Sequence, residues 1–334
     1  MRRSHPQPTL KTLALMTGLG VTTVSRALKD APELSTKTKK LVREVAERVG
    51  YRPHRAGVRL RTGRTFVISF ILNQADDMSD YGRRLIMGIS EGLRGTQYHL
   101  QVLPELVGQD PIAPVRYVVD TAAADGVILT HSQPDDARVK LLLERDLPFI
   151  TYGQTSIPQP HPFIDYCNIS FAYRATRELA QRGRRRIMIV LPPGQYTYSV
   201  HQREGYLKAL AESGLTPLIA DDIDLYSPAS QLRDYAARLA AQGEPPDGII
   251  CGSELQALGM MLGFQGRGLV VGRDIDIVNK KTSDILDIVP APTLQFTEDL
   301  LQVGRDLACF LMRRIDGVPA SSLQRLDYAP LRRS

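Results

Sequence analysis

The sequence predicts a mixed α/β protein: a small all-α helix-turn-helix headpiece, followed by two doubly wound parallel-sheet lobes. Residues 1–64 hold 15 Lys+Arg against 4 Asp+Glu, so the remaining 270 residues (334 less 64) hold 27 against 32. Short helical apolar patterns separated by a glycine lie inside this basic segment. Beyond it, β-branched apolar runs alternate with amphipathic stretches, which is typical of parallel sheets covered by helices.

The basic segment indicates a polyanionic partner, because each phosphate that Lys or Arg neutralises releases condensed counterions. The alternative is a solvated, disordered basic tail. The spacing of apolar residues inside the segment favours a folded unit, because these residues recur with helical spacing from Leu10 and again from Val21. We therefore expect a folded nucleic-acid-binding headpiece over residues 9–52, preceded by a disordered tail over 1–8.

The first headpiece helix is predicted from Leu10, with Thr9 as its N-cap. Gly18 follows it and can adopt the positive φ that a tight turn between helices requires. The second helix, Val21 to Leu28, places Val24 on its inner face. Two short helices joined by a glycine-containing turn form a helix-turn-helix unit, whose second helix enters the major groove of DNA.

A third helix is predicted from Ser35 or Thr36 to Gly50. The stretch Leu10 to Lys29, above all Thr23-Val24-Ser25-Arg26, and the later Gly50-Tyr51-Arg52-Pro53 resemble the headpiece of the LacI/GalR-type transcription repressors. One departure is Gly20, where that family usually has a serine. Glycine is an acceptable N-cap and costs only a few tenths of a kcal/mol.

The resemblance implies that Val21, Thr22 and Arg26 read bases. Arg26 can reach guanine O6 and N7 with two donors, whereas Val21 and the Thr22 methyl group suit the methyl group of thymine. The hydroxyls of Thr23 and Ser25 are expected to contact phosphate, which positions the headpiece without reading sequence. Packing in the headpiece core is the alternative role for Val21.

The segment 53–63 lies where the family has a hinge helix that forms only on DNA. Leu60 matches the leucine that each of two subunits inserts into the minor groove, and an apolar wedge of this kind kinks the duplex. Arg55 and Arg59 are expected to hold phosphates beside it. Gly57 replaces a common alanine at a cost of about 1 kcal/mol, so this hinge would fold less readily. The alternative is a basic interdomain linker.

The body, residues 64–330, is expected to fold as two lobes. The predicted strands are Phe66–Leu72, His99–Leu103, Gly126–Thr130, Pro148–Tyr152, Phe163–Tyr166, Arg186–Leu191, Leu218–Ala220, Gly248–Cys251 and Asp274–Val278. The helical patterns between them include Tyr81–Leu93, Asp135–Arg145, Phe171–Gln181, Gln202–Ser213 and Leu232–Ala241. We expect residues 331–334 to be disordered.

The resemblance extends over the body and implies the fold of periplasmic sugar-binding proteins. Lobe 1 would comprise about 64–165 and 297–325, and lobe 2 about 166–292. The chain would cross between the lobes about three times, the last time near Pro292–Thr297. A ligand would lie in the cleft, which faces the carboxyl ends of the strands.

Three residues of the second lobe are candidate effector ligands. Arg203 matches the arginine that donates to sugar hydroxyls in the family. Ser253-Glu254 stands where many members have an Asn-Asp pair, and Lys281 aligns with a ligand-binding aspartate. A lysine offers three donors and no acceptor, so an acidic effector, a sugar acid or a sugar phosphate, becomes an alternative to a neutral sugar. Arg203 would otherwise lie on the surface of a helix, and Lys281 would otherwise point to solvent.

The first lobe supplies three further candidates. His131 follows one predicted strand and Gln154 follows the next, so both face the mouth of the cleft. Tyr81 lies at the start of the first helix of the lobe and is the third candidate. A surface position is the alternative for His131.

Motifs of other functional classes are absent from the sequence. It has no phosphate-binding loop, no HExxH motif and no complete dinucleotide fingerprint, so we expect neither an enzyme nor a cofactor. The cysteines, Cys167, Cys251 and Cys309, show no metal-binding spacing, and we expect no metal. No apolar run approaches the roughly 18 residues of a membrane span, and no signal peptide is evident, so a cytoplasmic location is expected.

These observations together predict a sequence-specific DNA-binding regulator of carbohydrate-related genes that acts as a repressor. It would bind a pseudo-palindromic operator as a homodimer, because one helix-turn-helix reads one half-site. A small effector, a sugar, sugar acid or sugar phosphate, would control it from the cleft. The alternatives are a sugar-binding transport receptor with the same core fold and an activator that uses the same parts. Dimer and tetramer stay open.

Overall fold

The computed structural model describes residues 8–51, 59, 62–73, 80–106, 108, 110–289, 292–328 and 330–333. It divides into two compact units, Met1–Thr65 and Phe66–Ser334. The predicted hinge residues Arg55 and Leu60 lie outside the described residues, as does nearly all of the predicted tail over residues 1–8.

The first unit contains three helices in its described part: α1 (Leu10–Thr17), α2 (Val21–Leu28) and α3 (Thr36–Val49). The Thr9 side chain caps α1, as predicted, and Gly18 ends it with a φ of 68°. The apolar stripes of the helices meet in a small core of buried side chains: Leu13, Val24, Ala27, Val42, Val45 and Ala46. The predicted helical headpiece is therefore confirmed.

The second unit alternates strands and helices. Its strands are β1 (Val67–Asn73), β2 (His99–Glu105), β3 (Gly126–Leu129), β4 (Phe149–Tyr152), β5 (Phe163–Tyr166), β6 (Ile187–Val190), β7 (Leu218–Ile219), β8 (Gly248–Cys251), β9 (Asp276–Lys281), β10 (Leu294–Thr297), β11 (Gln324–Asp327) and β12 (Leu331–Arg333). Its helices are α4 (Asp80–Gly92), α5 (Ala113–Thr121), α6 (Ala137–Glu144), α7 (Asn168–Gln181), α8 (Thr197–Ser213), α9 (Ala229–Ala240), α10 (Glu254–Gln265) and α11 (Leu300–Ile315).

The strands form two six-stranded sheets, ordered β11-β5-β4-β3-β1-β2 and β12-β10-β9-β8-β6-β7. All pairings are parallel except that of β12 with β10. Because parallel sheets bury both faces, the central strands are apolar along their whole length, as in β3 and β6. The predicted pair of doubly wound lobes is confirmed.

Each sheet separates two apolar cores. In the first sheet, Phe70 of β1 packs with α4 and α11 on one face, and the next residue, Ile71, packs with α5 and α6 on the other. This alternation follows from the two-residue period of a strand. The second sheet also has an apolar core on each face. In both sheets the helices cover the faces, and the carboxyl ends of the strands lie at the edge.

The connections between the sheets differ from the prediction. The chain enters the second sheet after β5, returns to the first after β10 and enters the second again after β11. Among the described strands, the number of crossings, three, agrees with the prediction, but the crossing next to Pro292–Thr297 is the second, and the last one follows β11. The expectation of disorder is wrong for residues 331–333, since they form β12, where Leu331 pairs with Phe296 and packs against an apolar core of the second sheet. Residue 334 lies outside the described residues.

The helices that the structure describes in the body are of ordinary length. The longest described helix, α8, has 17 residues. Within the part of the chain that the structure describes, no helix is both long enough and apolar enough to cross a membrane.

Candidate functional site

A cavity of about 270 Å³ opens where the carboxyl ends of the two sheets face each other. The first sheet contributes His131 after β3, Gly153 after β4 and Asn168 after β5. The second contributes Ser253 after β8 and Thr282 after β9. Loops at the carboxyl ends of parallel strands are where such folds bind ligands, because the helices leave these edges uncovered. The cavity is therefore the candidate ligand site.

One wall of the cavity is aromatic. The His131 ring lies 6.0 Å from the Tyr81 ring, 5.4 Å from Tyr196, and 5.9 Å from each of Tyr198 and Tyr226. Tyr196 stacks on Tyr198 with centroids 5.2 Å apart, and the hydroxyls of Tyr198 and Tyr226 are 2.7 Å apart. The wall presents flat apolar faces together with hydroxyl groups, a combination that binds ligands with an apolar face and a polar edge.

His131 is neutral in this wall. Its Nδ1 lies 3.0 Å from the Thr130 hydroxyl, and its backbone has a φ of 55°, which is uncommon outside glycine. Burial, and then the nearby Arg138 guanidinium, lower the pKa of His131 to about 3. Arg138 donates to the carbonyl oxygens of both Thr130 and His131 and so holds this strained turn in place.

A second part of the lining is polar and centred on Lys280. Its ammonium donates to Asn168 Oδ1 at 2.8 Å, lies 3.8 Å from Glu298 Oε2 and sits 4.2 Å from the centre of the Tyr166 ring. Burial lowers the pKa of Lys280, while Glu298 and Asp165 act in the opposite direction. The Tyr152 hydroxyl donates to the Glu298 carboxylate. Lys280 is therefore already held by groups of the protein.

Asp165 adds a second carboxyl group on this side. It accepts a hydrogen bond of 2.9 Å from Gln154 Nε2, and it is buried. Burial raises the pKa of Asp165 to about 6, against the smaller opposing effects of Gln154 and Lys280. The polar side thus combines one ammonium group with two carboxyl groups.

Arg203 does not lie in the cavity, contrary to the prediction. Its side chain is exposed, whereas Gln202 is buried and lines the cavity. Successive residues of a helix point about 100° apart, so a shift of one position moves the side chain off the inner face of α8. That face is fixed by Gly205, where an added Cβ would collide with the Ile169 carbonyl oxygen.

Lys281 also lies outside the lining, and Lys280 takes its expected place. The Lys281 ammonium is 2.5 Å from Asp287 Oδ1 and 3.6 Å from Asp284. Adjacent side chains of a strand point to opposite sides, so only one of the two lysines at the end of β9 can face the cavity. Of the two lysines, the structure thus places Lys280 in the lining and Lys281 beside it, paired with acidic side chains.

The other predicted residues are near the cavity. Tyr81, His131 and Ser253 line it. The Ser253 hydroxyl also caps α10, because it accepts from Gln256 N at 3.2 Å. Gln154 does not line the cavity, but it donates a hydrogen bond to Asp165, which does line it.

Sequence reasoning missed several lining side chains. They are Gln202, Lys280, Tyr198, Tyr226 and Glu298. For Gln202, a signal was available: it is three residues before Gly205, on the same small-residue face of the helix. Its Nε2 donates to Asn168 Oδ1 at 3.1 Å, and its Oε1 has no hydrogen-bond partner among the described residues. This acceptor remains available to a ligand hydroxyl.

The predicted DNA-reading residues lie on the outer side of α2. Val21 is 41% exposed, which disfavours the alternative that it packs in the core. Thr22 and Arg26 are exposed too, whereas Thr23 and Ser25 are half-buried at the edges of the exposed face. Arg59 is also exposed. The side chains that are predicted to read bases thus lie on the surface of α2 and outside the headpiece core.

Comparison with known proteins agrees with this architecture. Residues 65–318 match the family described as periplasmic binding proteins and sugar binding domain of LacI family, and residues 9–54 match the bacterial regulatory proteins of the lacI family. The regulator AglR of Rhizobium meliloti (strain 1021) is 31% identical over 274 residues, 80% of this chain and 76% of AglR. RafR of Escherichia coli is 29% identical over 330 residues, 96% of each chain.

Solved structures show the same fold. A structure described as a transcriptional regulator CelR–cellobiose complex has a TM-score of 0.68 at 22% identity, covering 98% of this chain and 99% of that one. The lac repressor dimer bound to operator and the anti-inducer ONPF has a TM-score of 0.84 at 18% identity, covering 98% of each chain. With family models matching both its headpiece and its two-sheet body, the chain belongs to the LacI family of bacterial regulatory proteins.

Proposed function

We propose that this protein is a homodimeric, sequence-specific repressor of carbohydrate-related genes, and that an uncharged sugar bound in the cavity controls its affinity for operator DNA. The observation that carries the proposal is the composition of the cavity. Both sheets build it, one wall is aromatic, and its ammonium group is already balanced by carboxyl groups. A pseudo-palindromic operator suits a dimer, because each headpiece reads one half-site.

The charges around the cavity favour a neutral ligand. Of the lining residues that the structure describes, Lys280 is the one Lys or Arg, and it lies close to Glu298. A sugar acid or sugar phosphate would bring a further negative charge towards Glu298 and Asp165, in a site where charges are poorly screened. Arg203 and Lys281, on which the acidic alternative depended, are outside the lining.

The neutral groups of the cavity suit a sugar. The faces of Tyr81, Tyr198 and Tyr226 can pack against the C–H face of a sugar ring, while the amides of Asn168 and Gln202 can bond its hydroxyls. A solved relative is described as a complex with cellobiose, which is an uncharged disaccharide. We infer that the effector is a neutral sugar of one or two rings.

Control of DNA binding would operate through the relative arrangement of the lobes. The lobes already touch next to His131 and Tyr198, where Thr197 N donates to the Ser132 carbonyl oxygen at 2.9 Å. A ligand that contacts both lobes favours the arrangement in which both sets of contacts form. We propose that the segment 53–63, with Arg55, Arg59 and Leu60, transmits this shift to the headpiece, and that the protein acts in the cytoplasm, where its DNA lies.

A thermal-shift screen of the full chain tests the ligand class. Cellobiose, maltose and glucose are each compared with the corresponding uronate and phosphate at equal concentration. At 100 times its dissociation constant, a ligand stabilises the native state by about 2.7 kcal/mol, so a binding sugar raises the melting temperature visibly. We expect a neutral member of the panel to do so and its acidic counterparts to have no effect.

Two adjacent variants locate the binding site. Gln202→Ala removes a lining amide and is expected to reduce the shift, whereas Arg203→Ala removes an exposed side chain and should leave it unchanged. A shift that only acidic compounds produce, or one that depends on Arg203 and not on Gln202, would contradict the proposed ligand and its position.

A further inference from the structure

An ion pair lies on the DNA-reading side of the headpiece. Arg26, in the last turn of α2, contacts Glu33 through Nη2, and Glu33 lies in the segment that joins α2 to α3. The Arg26 side chain is 54% exposed and that of Glu33 is 42% exposed, so the pair sits at the surface. It occupies the region that must approach the negatively charged duplex if Arg26 reads a base.

The segment that carries Glu33 is anchored to the headpiece. Asp30, which precedes it, lies 2.9 Å from Arg43 and 3.4 Å from Lys39 of α3. Ala31 N donates to the Arg26 carbonyl oxygen at 3.1 Å and so ties the segment back to α2. The backbone from which the Glu33 side chain reaches the guanidinium is therefore tied to both α2 and α3.

A carboxylate at this place opposes DNA binding, because it repels the phosphates that the basic headpiece attracts. The backbone N–H of Glu33 itself, and then Arg26, lower the pKa of the Glu33 carboxyl, so it is ionised at neutral pH. As a surface ion pair, the contact contributes little to folding. A role in recognition accounts for the pair better than a role in stability.

We infer that Glu33 positions the Arg26 guanidinium to read one base pair, and is thus a specificity-determining residue of the proposed DNA-binding function, on which this inference rests. An arginine without such a partner can turn to a phosphate, which adds affinity but reads no sequence. Holding the side chain before binding also reduces the rotamer entropy lost when it meets guanine. Glu33 acts through Arg26 and does not itself contact a base.

Selection of DNA sequences by the full chain tests this inference. Wild type, Arg26→Ala and Glu33→Gln are each used to select duplexes from a pool with randomised positions. Arg26→Ala is expected to lose base preference at one position of each half-site. Glu33→Gln should weaken preference at that same position by about two- to fivefold, because an exposed ion pair holds a side chain only weakly. This loss is part of the roughly 5- to 150-fold discrimination of a good arginine–guanine pair, and other positions should be unchanged.

Glu44→Gln is the matched control. Glu44 is an exposed headpiece carboxylate that lies 3.9 Å from Lys40 on α3, so the substitution makes the same change of charge away from Arg26. Both variants should bind random-sequence duplexes a few times more tightly than wild type, because each removes one negative charge. Only Glu33→Gln should reduce the base preference at the position that Arg26 reads. The melting temperature of this variant should match that of wild type.

An unchanged base preference in Glu33→Gln would overturn the inference, as would equal loss of preference in Glu44→Gln. Arg26→Ala selecting the wild-type sequence would overturn it too, because Glu33 would then have no base reader to position. A wild-type protein that selects no sequence from the pool would instead contradict the proposed function itself.

Discussion

Replacing Lys280 by methionine is expected to lower the free energy of unfolding by about 3–5 kcal/mol and to abolish the stabilisation by sugar. The ammonium is buried between Asn168 and Glu298, so its removal leaves the Glu298 carboxylate in the interior without its counter-ion. Asn168 Oδ1 also loses a donor at the point where the chain enters the second sheet. Denaturant unfolding measures the stability, and thermal shift with the sugar found in the screen measures binding.

Lys281→Met is the control for this prediction. The adjacent ammonium pairs with the half-exposed Asp287, and pairs of this kind contribute about 0–1 kcal/mol. Adding Glu298→Gln to Lys280→Met should recover part of the lost stability, since the buried charge is then removed as well. Equal losses of stability in the two lysine variants would contradict the assignment of Lys280 to the cavity.

Removing residues 1–65 is expected to abolish specific operator binding and to leave sugar binding intact. The headpiece and the body are separate compact units, and each has its own apolar core. Specific binding exceeds non-specific binding of the same protein by about 10³- to 10⁷-fold, so its loss is easily seen by fluorescence anisotropy with a labelled operator duplex.

The same truncated protein is then tested in the thermal-shift assay, where it should respond to the sugar as the full chain does. Operator binding that survives the truncation would show that the body reads DNA. Loss of the response to sugar, in a protein that still unfolds cooperatively, would show that the cavity needs the headpiece. Either result would contradict the division of roles between the two units.

Most of the fold follows from the sequence because the pattern of apolar residues determines it. Strands such as β3 and β6 are short, wholly apolar runs, and the headpiece helices have clear caps and stripes. Helix α10 is harder to predict, since it is apolar on nearly all sides and has no helical period to detect. Strand β12 was missed because backbone pairing with β10, rather than a pattern of side chains, defines it.

The candidate site was predicted less well than the fold, because the cavity is lined by the neighbours of two predicted residues. Charge drew the prediction to Arg203 and Lys281, but the pitch of α8 and the pleat of β9 place Gln202 and Lys280 in the cavity. Tyr198 and Tyr226 come from separate segments that only the folded chain brings together. For these residues, position within a helix or strand is decisive, and residue type alone is not.

The most direct test of the account is the operator affinity of the full chain, measured by anisotropy with and without saturating neutral sugar. Coupling between two sites typically changes affinity by about 5- to 150-fold, and linkage requires that operator DNA change the affinity for the sugar by the same factor. The account predicts a change of this size, equal in both directions, that Gln202→Ala weakens and Arg203→Ala does not. A sugar that fills the cavity and leaves operator affinity unchanged would contradict it.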